Sequence, residues 1–239
     1  MNFNGTLPEI KMIKKIFILA IVLLSASDML FAQSKVGTTA ANFITIPVGA
    51  RAAGMGGAFV AVANDVSAAY WNPGGLSRLE GNEFSAVHAQ WLANTNINWF
   101  GLAAKLTPDD AVAFSINQLD YGEDDITTED SPNGTGQTWS ASDICFSLSY
   151  ARNLTDRFSI GANAKYVHTK IYNESASAFS LDVGLLFTTQ FNGLKIGMNI
   201  SNFGTDLKLD GKDLGQPIDI DESSTGNNAN INGKLETDS

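Results

Sequence analysis

Residues 157–169 read RFSIGANAKYVHT. Phe158, Ile160, Ala162, Ala164 and Tyr166 fall on one side of an extended chain, and Ser159, Gly161, Asn163 and Lys165 on the other. Side chains of a strand point alternately to opposite faces, so this period of two predicts a β-strand with one apolar and one polar face. Its length matters as much as its period. Strands of a soluble sandwich are mostly about 5–6 residues long, whereas a tilted strand needs about 9–11 residues to cross a bilayer.

The same alternation extends in both directions. Phe179, Leu181, Val183, Leu185 and Phe187 oppose Ser180, Asp182, Gly184 and Thr188 in 178–188, and Leu194, Ile196, Met198 and Ile200 oppose Lys195, Gly197, Asn199 and Ser201 in 194–203. Upstream, Ile144, Phe146, Leu148 and Tyr150 oppose Asp143, Cys145, Ser147 and Ser149, while Val112, Phe114 and Ile116 oppose Ala113, Ser115 and Asn117. In 96–107, Phe100, Leu102, Ala104 and Leu106 share a face. With 82–93, the pattern predicts about seven antiparallel strands of roughly ten residues across 81–205. The connections at 106–110, 153–156 and 190–193 are short, and 120–138 is long and acidic. Short turns on one side and longer loops on the other fit an outer-membrane barrel, with the short turns periplasmic. Trp91, Trp99, Phe100, Tyr121, Trp139, Tyr150, Phe158, Tyr166 and Tyr172 lie near strand ends, where interfacial girdles are expected. The fold class is therefore all-β, an antiparallel transmembrane β-barrel; the alternative is a secreted soluble β-sandwich, whose strands also alternate.

Composition bounds the chemistry. The 239-residue chain carries a formal net charge of −10, which argues against nucleic acid as a partner. Charged residues make up 17% and glycine is abundant at 22 residues, as a wet-lumen barrel would have. Cys145 is the only cysteine, so no intramolecular disulfide and no Cys-based zinc site can form. His88 and His168 lie far apart without metal-ligand neighbours, and no Gly-x-Ser-x-Gly elbow appears. We expect no enzyme, no catalytic residues, no cofactor and no metal. Acidic runs at Glu123–Asp125, Glu129–Asp130 and Asp219–Glu222 lack the spacing of a calcium loop. Residues 1–32 read as a secretory signal: Lys14 and Lys15, then apolar Ile16–Leu24, then a break before Ala32, with Met12 as the expected true start.

Between the signal and the strands, residues 49–76 read GARAAGMGGAFVAVANDVSAAYWNPGGL. A segment so poor in large side chains cannot build its own core, and the strands that follow are the expected wall around it. Gly54-x-Gly56-Gly57 lacks both the Lys-Ser/Thr of a P-loop and the G-x-G-x-x-G spacing. Arg51 is the lone charge of 36–64, an expected partner for Asp182 or Asp65. Pro73 restricts Asn72 to extended conformations, which marks a structural stop.

The run Gly49-Ala50-Arg51-Ala52, Gly54-Met55-Gly56-Gly57-Ala58, then Asn64-Asp65 and Tyr70-Trp71-Asn72-Pro73, resembles the N-terminal signature of the PorV/PorQ family, outer-membrane proteins of the wider FadL-like group. The likeness is strongest over 36–90. The chain departs where the family usually has Asp-Asp in place of Asn64-Asp65, and Asn-Pro-Ala-Gly in place of Asn72-Pro73-Gly74-Gly75. The resemblance implies a larger barrel, usually of fourteen strands, with a lumenal hatch. Residues 33–80 would be that hatch, 81–205 about half the barrel, and 206–239 a polar loop cut short; a small eight-stranded barrel using 206–209 is the alternative. The motif residues expected to matter are Gly49, Arg51, Gly54, Met55, Gly56, Gly57, Asp65, Trp71, Asn72 and Pro73. The resemblance further implies a place in the outer membrane among its lipids. It implies a role in type IX secretion, by binding the C-terminal domains of secreted cargo and other secretion components. A FadL-like passive transporter of a hydrophobic ligand is the competing expectation.

Overall fold

The computed structural model describes residues 40–218 and 231–234, so residues 1–32 expected as a signal, residues 33–39 and the acidic run at 219–222 lie outside the described residues. Seven strands follow one another: β1 (Glu83–Gln90), β2 (Asn96–Lys105), β3 (Asp110–Asp125), β4 (Thr138–Thr155), β5 (Phe158–Ile171), β6 (Glu174–Thr188) and β7 (Lys195–Gly204). They form a single meander, each pairing antiparallel with the next. A two-residue β8 (Asp210–Gly211) pairs with β6 at Glu174 and Ser175, beyond the reach of β7. Two further short strands, β9 (Gly215–Ile218) and β10 (Ile231–Lys234), pair with each other. Among the described residues the sheet does not close on itself: β1 and β7 are its edges.

Strands are longer than the apolar period alone suggests. The β3–β4 hairpin continues past a register shift between Asp120 and Glu123, where Gly122 takes φ 80°, and pairs up to Asp125 and Thr138. Both faces are exposed there. The pattern of alternation therefore ends before the hydrogen-bonded ladder does, and the loop proper is 126–137. Its neighbour at the same end, between β5 and β6, is the two-residue turn Tyr172–Asn173. The long connections expected on this side thus reduce to one.

The two faces are inverted relative to a soluble protein. Phe179, Leu181 and Leu148 are 66%, 56% and 64% exposed on the convex face, whereas Asp182, Asn163 and Ser149 on the concave face are each 1% exposed. A water-soluble sheet would bury the first set. This arrangement suits an apolar surrounding with a polar interior, the pattern of membrane barrels. No helix of the described residues is long and apolar enough to cross a membrane. On β6 the outward apolar run, Phe179 to Phe187, covers nine positions and gives way to Ser177, close to the roughly 9–11 residues a tilted crossing strand needs. Two expected girdle aromatics face the other way. Trp99 is buried on the concave side, and Tyr121 turns inward to donate to Asp143.

The concave face is occupied by residues 40–79. Two short helical turns, α1 (Ala50–Gly54) and α2 (Ala68–Trp71), and a 3-10 turn at Pro73–Arg78 lie against it. The apolar core is shared. Val48, Phe59, Val66, Leu76 and Leu79 of the segment pack with Trp99, Ala103, Ala111, Ala113 and Ala151 of the strands. The strands contribute mostly alanine, which lets the backbones of segment and wall come close.

Candidate functional site

The plug of the concave face is built from its own turns first. At the end of α1, Gly56 and Gly57 adopt φ of 63° and 81°. Gly57 donates to the Ala52 carbonyl (2.9 Å) and Gly56 to that of Ala53 (3.0 Å), the crossed pair of bonds of a Schellman cap. A left-handed residue is required there, which is why glycine stands after Gly54 and the half-exposed Met55. Gly49 precedes α1, also at positive φ (91°).

Arg51 reaches from α1 to Asn64 (2.8 Å) and Asp65 (3.0 Å), and lies 4.9 Å from the Phe59 ring centroid. Asp65 in turn accepts from the backbone and hydroxyl of Ser67. Of the two carboxylates expected for Arg51, Asp65 is the partner; Asp182 is taken by Lys165. With the Arg51 side chain 53% exposed, this pair organises the loop more than it stabilises it.

Trp71 closes the next turn. Its ring nitrogen donates to the Val48 carbonyl (2.9 Å), and its ring meets Phe59 and Tyr70 edge-on. The Tyr70 hydroxyl sits 2.8 Å and 3.0 Å from the carbonyls of Ile46 and Ile44. Burial, and then the nearby Asp182 charge, push the Tyr70 phenol well above its ordinary pKa, so it stays a donor.

Asn72 is the pivot between plug and sheet. It is fully buried and extended (φ −165°). Its amide donates to Val60 of the plug (2.8 Å) and to the Leu185 carbonyl of β6 (3.0 Å), while its oxygen accepts from Gly74 (3.1 Å). The turn Asn72-Pro73-Gly74 presses onto Gly161 and Gly184, which are direct cross-strand partners on β5 and β6. A Cβ on Gly161 would collide with the Pro73 carbonyl group and the Gly74 nitrogen. One on Gly184 would collide with the Asn72 side chain and the Pro73 ring. The sheet therefore carries a notch, one glycine deep on each strand, into which the turn fits.

Around the notch the polar lining binds the plug by its backbone. Asn163 donates to the Ala69 carbonyl (3.0 Å) and to Asp182 (3.1 Å), and accepts from Ser149 (3.0 Å). Asp182 makes a 2.6 Å ion pair with Lys165, both side chains being nearly solvent-free. Asn202 completes the group: its backbone donates to Asp182 (2.8 Å) and its side chain accepts from Lys165 (2.8 Å). Asn199 holds the Trp71 carbonyl (3.1 Å). At the short-turn end Ser77 exchanges bonds with Asn153, Lys105 donates to the Ser77 carbonyl (2.7 Å), and Arg78 donates to Ser159 (2.7 Å) and to the Asp156 carbonyl (2.5 Å). Burial lowers the Arg78 pKa from its usual value and the charges of Asp156 and Asp109 partly restore it, so the guanidinium stays a cation.

Two clefts flank the plug at the sheet edges. One, about 430 Å³, lies against β1 and is lined by Arg51, Asp65, Glu83, Phe84 and Trp99; the other, about 250 Å³, lies by β7 and is lined by Thr45, Tyr70, Lys165, Asn199 and Asn202. Among the described residues no three His, Cys, Asp or Glu side chains converge as metal ligands.

The ten motif residues all lie in the segment 40–79 on the concave face, and Trp71, Asn72 and Pro73 reach the strands directly. Gly161, Gly184, Asn163 and Arg78, which hold the plug, were not singled out from the sequence as parts of a site, and Asp182 was named only as a partner for Arg51, whereas it pairs with Lys165. A signal existed for the first two, since inward-facing glycines on successive strands leave room for another backbone. Their pairing was not visible without the register. In sequence comparison, no curated protein matches the chain. A family model described as type IX secretion system protein PorV matches residues 30–224, most of its length, and the chain belongs to that family.

Proposed function

We propose that this chain works in type IX secretion as a plugged outer-membrane barrel. It would bind the C-terminal domains of exported cargo and hand them to other components, by recognition and without catalysis. Membership of the PorV family supports the secretion role. The observation that carries the choice of mechanism is the way residues 40–79 are held. Asn72 is bonded to β6, Asn163 to the plug backbone, and Ser77 and Arg78 to the β4–β5 end. A transporter of hydrophobic ligands needs its hatch to move and an apolar path behind it. Here the wall behind the plug mixes the buried polar Ser115, Asn117, Ser147, Ser149, Asn163 and Asp182 with Trp99, Ala103, Ala111, Ala113 and Ala151, whose apolar surface is covered by packed plug side chains. Cargo would then be met outside the lumen, where the β3–β4 hairpin and its 126–137 loop project beyond the apolar belt.

The test is site-specific photocrosslinking in cells. A photoreactive residue in 126–137 should capture a secreted C-terminal domain, and one at Asn117 should not. Capture at Asn117 with none in the loop would mean a passage through the lumen and would defeat this reading. Restored secretion by a variant whose plug is fixed to β6 by an engineered disulfide is the second expected result.

A further inference from the structure

Among the described residues, the convex face of β1–β7 carries two Lys or Arg side chains, Arg152 and Lys170. Arg152, at the short-turn end, lies 3.6 Å from Asp110. Lys170, at the opposite end, has no ion-pair partner among the described residues and is exposed. Its position is set by the register. The row Tyr166, Phe179 is the upper limit of continuous apolar surface on β5 and β6, while on β4 it runs one row further to Ile144, the partner of His168. The next row on β5–β6 is His168 and Ser177, and the row above is Ser142, Lys170 and Ser175. Outward neighbours on a strand are about 7 Å apart and adjacent strands about 5 Å, so these side chains share a patch of headgroup size.

The patch is chemically ordered. Tyr166 donates to the Ser177 hydroxyl (2.9 Å), and Ser177 lies 2.9 Å from Nδ1 of His168. The Ser177 hydroxyl ties the two rings together, and in the tautomer whose Nδ1 accepts from it the His168 Nε2 carries the proton and is a donor. Above it stand the Lys170 ammonium and the hydroxyls of Ser175 and Ser142. Donors of this kind, with one unneutralised cation, match an anion with several acceptor oxygens. Two carboxylates lie in this row, each two strands from Lys170: Asp120, which accepts from the Gly122 backbone (3.0 Å), and Asp210 of β8, the cross-strand partner of Ser175.

We propose that His168, Lys170, Ser175 and Ser177 form a site for the phosphate of a lipid headgroup at the outer-leaflet boundary of the belt. A phosphate anchored there, with acyl chains lying along Phe179, Leu181 and Val183, fits both the cation and the apolar run below it. The inference rests on the convex face meeting lipid.

The experiment uses the full chain in detergent micelles with diphosphoryl lipid A as probe, binding read by native mass spectrometry. Lipid A with its phosphates removed and inorganic phosphate serve as comparators. We expect K170E to weaken lipid A binding about tenfold and to leave the dephosphorylated lipid unaffected; Ser175→Ala with Ser177→Ala should weaken it severalfold. Equal binding of both lipids, or of lipid A by wild type and K170E, overturns the site. Displacement by inorganic phosphate at the concentration of lipid A would make it a free-anion site and overturns the lipid assignment. Co-flotation with phosphatidylcholine vesicles runs alongside. If the wild type fails to float, the membrane reading itself falls and the site with it; if it floats and K170E floats equally, the variant is folded and the binding result stands alone.

Discussion

Asn72 concentrates the cost of disturbing the plug in one side chain. Its replacement by Ala leaves the Val60 and Leu185 carbonyls and the Gly74 amide without their partner inside a buried turn. Losing bonds of this type should cost about 2–4 kcal/mol, read as a lower urea midpoint for loss of the heat-modifiable folded band. Gly184→Ala tests the notch from the other side. Its Cβ meets the Asn72 side chain and the Pro73 ring, and overpacking of this order should cost about 1–3 kcal/mol. Gly193→Ala in the β6–β7 turn, where a Cβ meets open space, separates crowding from backbone strain at its φ of 69°. For the buried pair, Lys165→Met leaves the Asp182 carboxylate unpaired and should cost about 3–5 kcal/mol. The double variant Lys165→Met with Asp182→Asn should be less damaging than that single change, since no lone charge remains. At this scale the sequence was legible where a residue type has one use. Pro73 had to hold Asn72 extended, and it does. It was silent on Asn163 and gave Asp182 the wrong partner, because a polar residue on an alternating strand looks the same whether it meets water or a plug backbone.

The strands were legible through period, because one face meets an apolar medium and the other does not. Where that contrast ends, the reading ended too. The upper β3–β4 hairpin, exposed on both faces from Glu123 to Asp125, continues only by its ladder of backbone bonds. The same limit misled the reading of aromatic residues. Trp99 and Tyr121 occupy inward register, so their ring size says nothing of a lipid interface. Register makes the prediction for the element. Cysteines placed at Leu148 and Ser149 are neighbours in sequence but lie on opposite faces, 64% and 1% exposed. A spin label at 148 should be strongly relaxed by oxygen dissolved in the bilayer, and one at 149 should be shielded from oxygen and from water-soluble nickel alike. Equal behaviour at the two sites would contradict the inverted faces.

For the whole molecule, the resemblance carried by 49–76 led to the right family, and the family match over 30–224 rests on far more of the chain than that motif. The sheet as described has two edges, and a bilayer tolerates no unpaired strand edge. The full assembly is expected to resist extraction by alkaline carbonate and to require detergent for recovery. Recovery as a detergent-free soluble monomer would count against the barrel. The glycine notch has one more consequence, which concerns the order of events. Its floor is formed by Gly161 of β5 and Gly184 of β6, about 90 and about 110 residues downstream of the turn it receives, and a turn held by backbone contact on both strands is seated most readily before a wall closes around it. We expect the plug to be in place while the wall is still open, as a ship is set in a bottle before the neck is made. A plug segment supplied as a separate chain after closure should therefore fail to restore a barrel made without it, even though the same residues succeed when they lead the strands out of the ribosome.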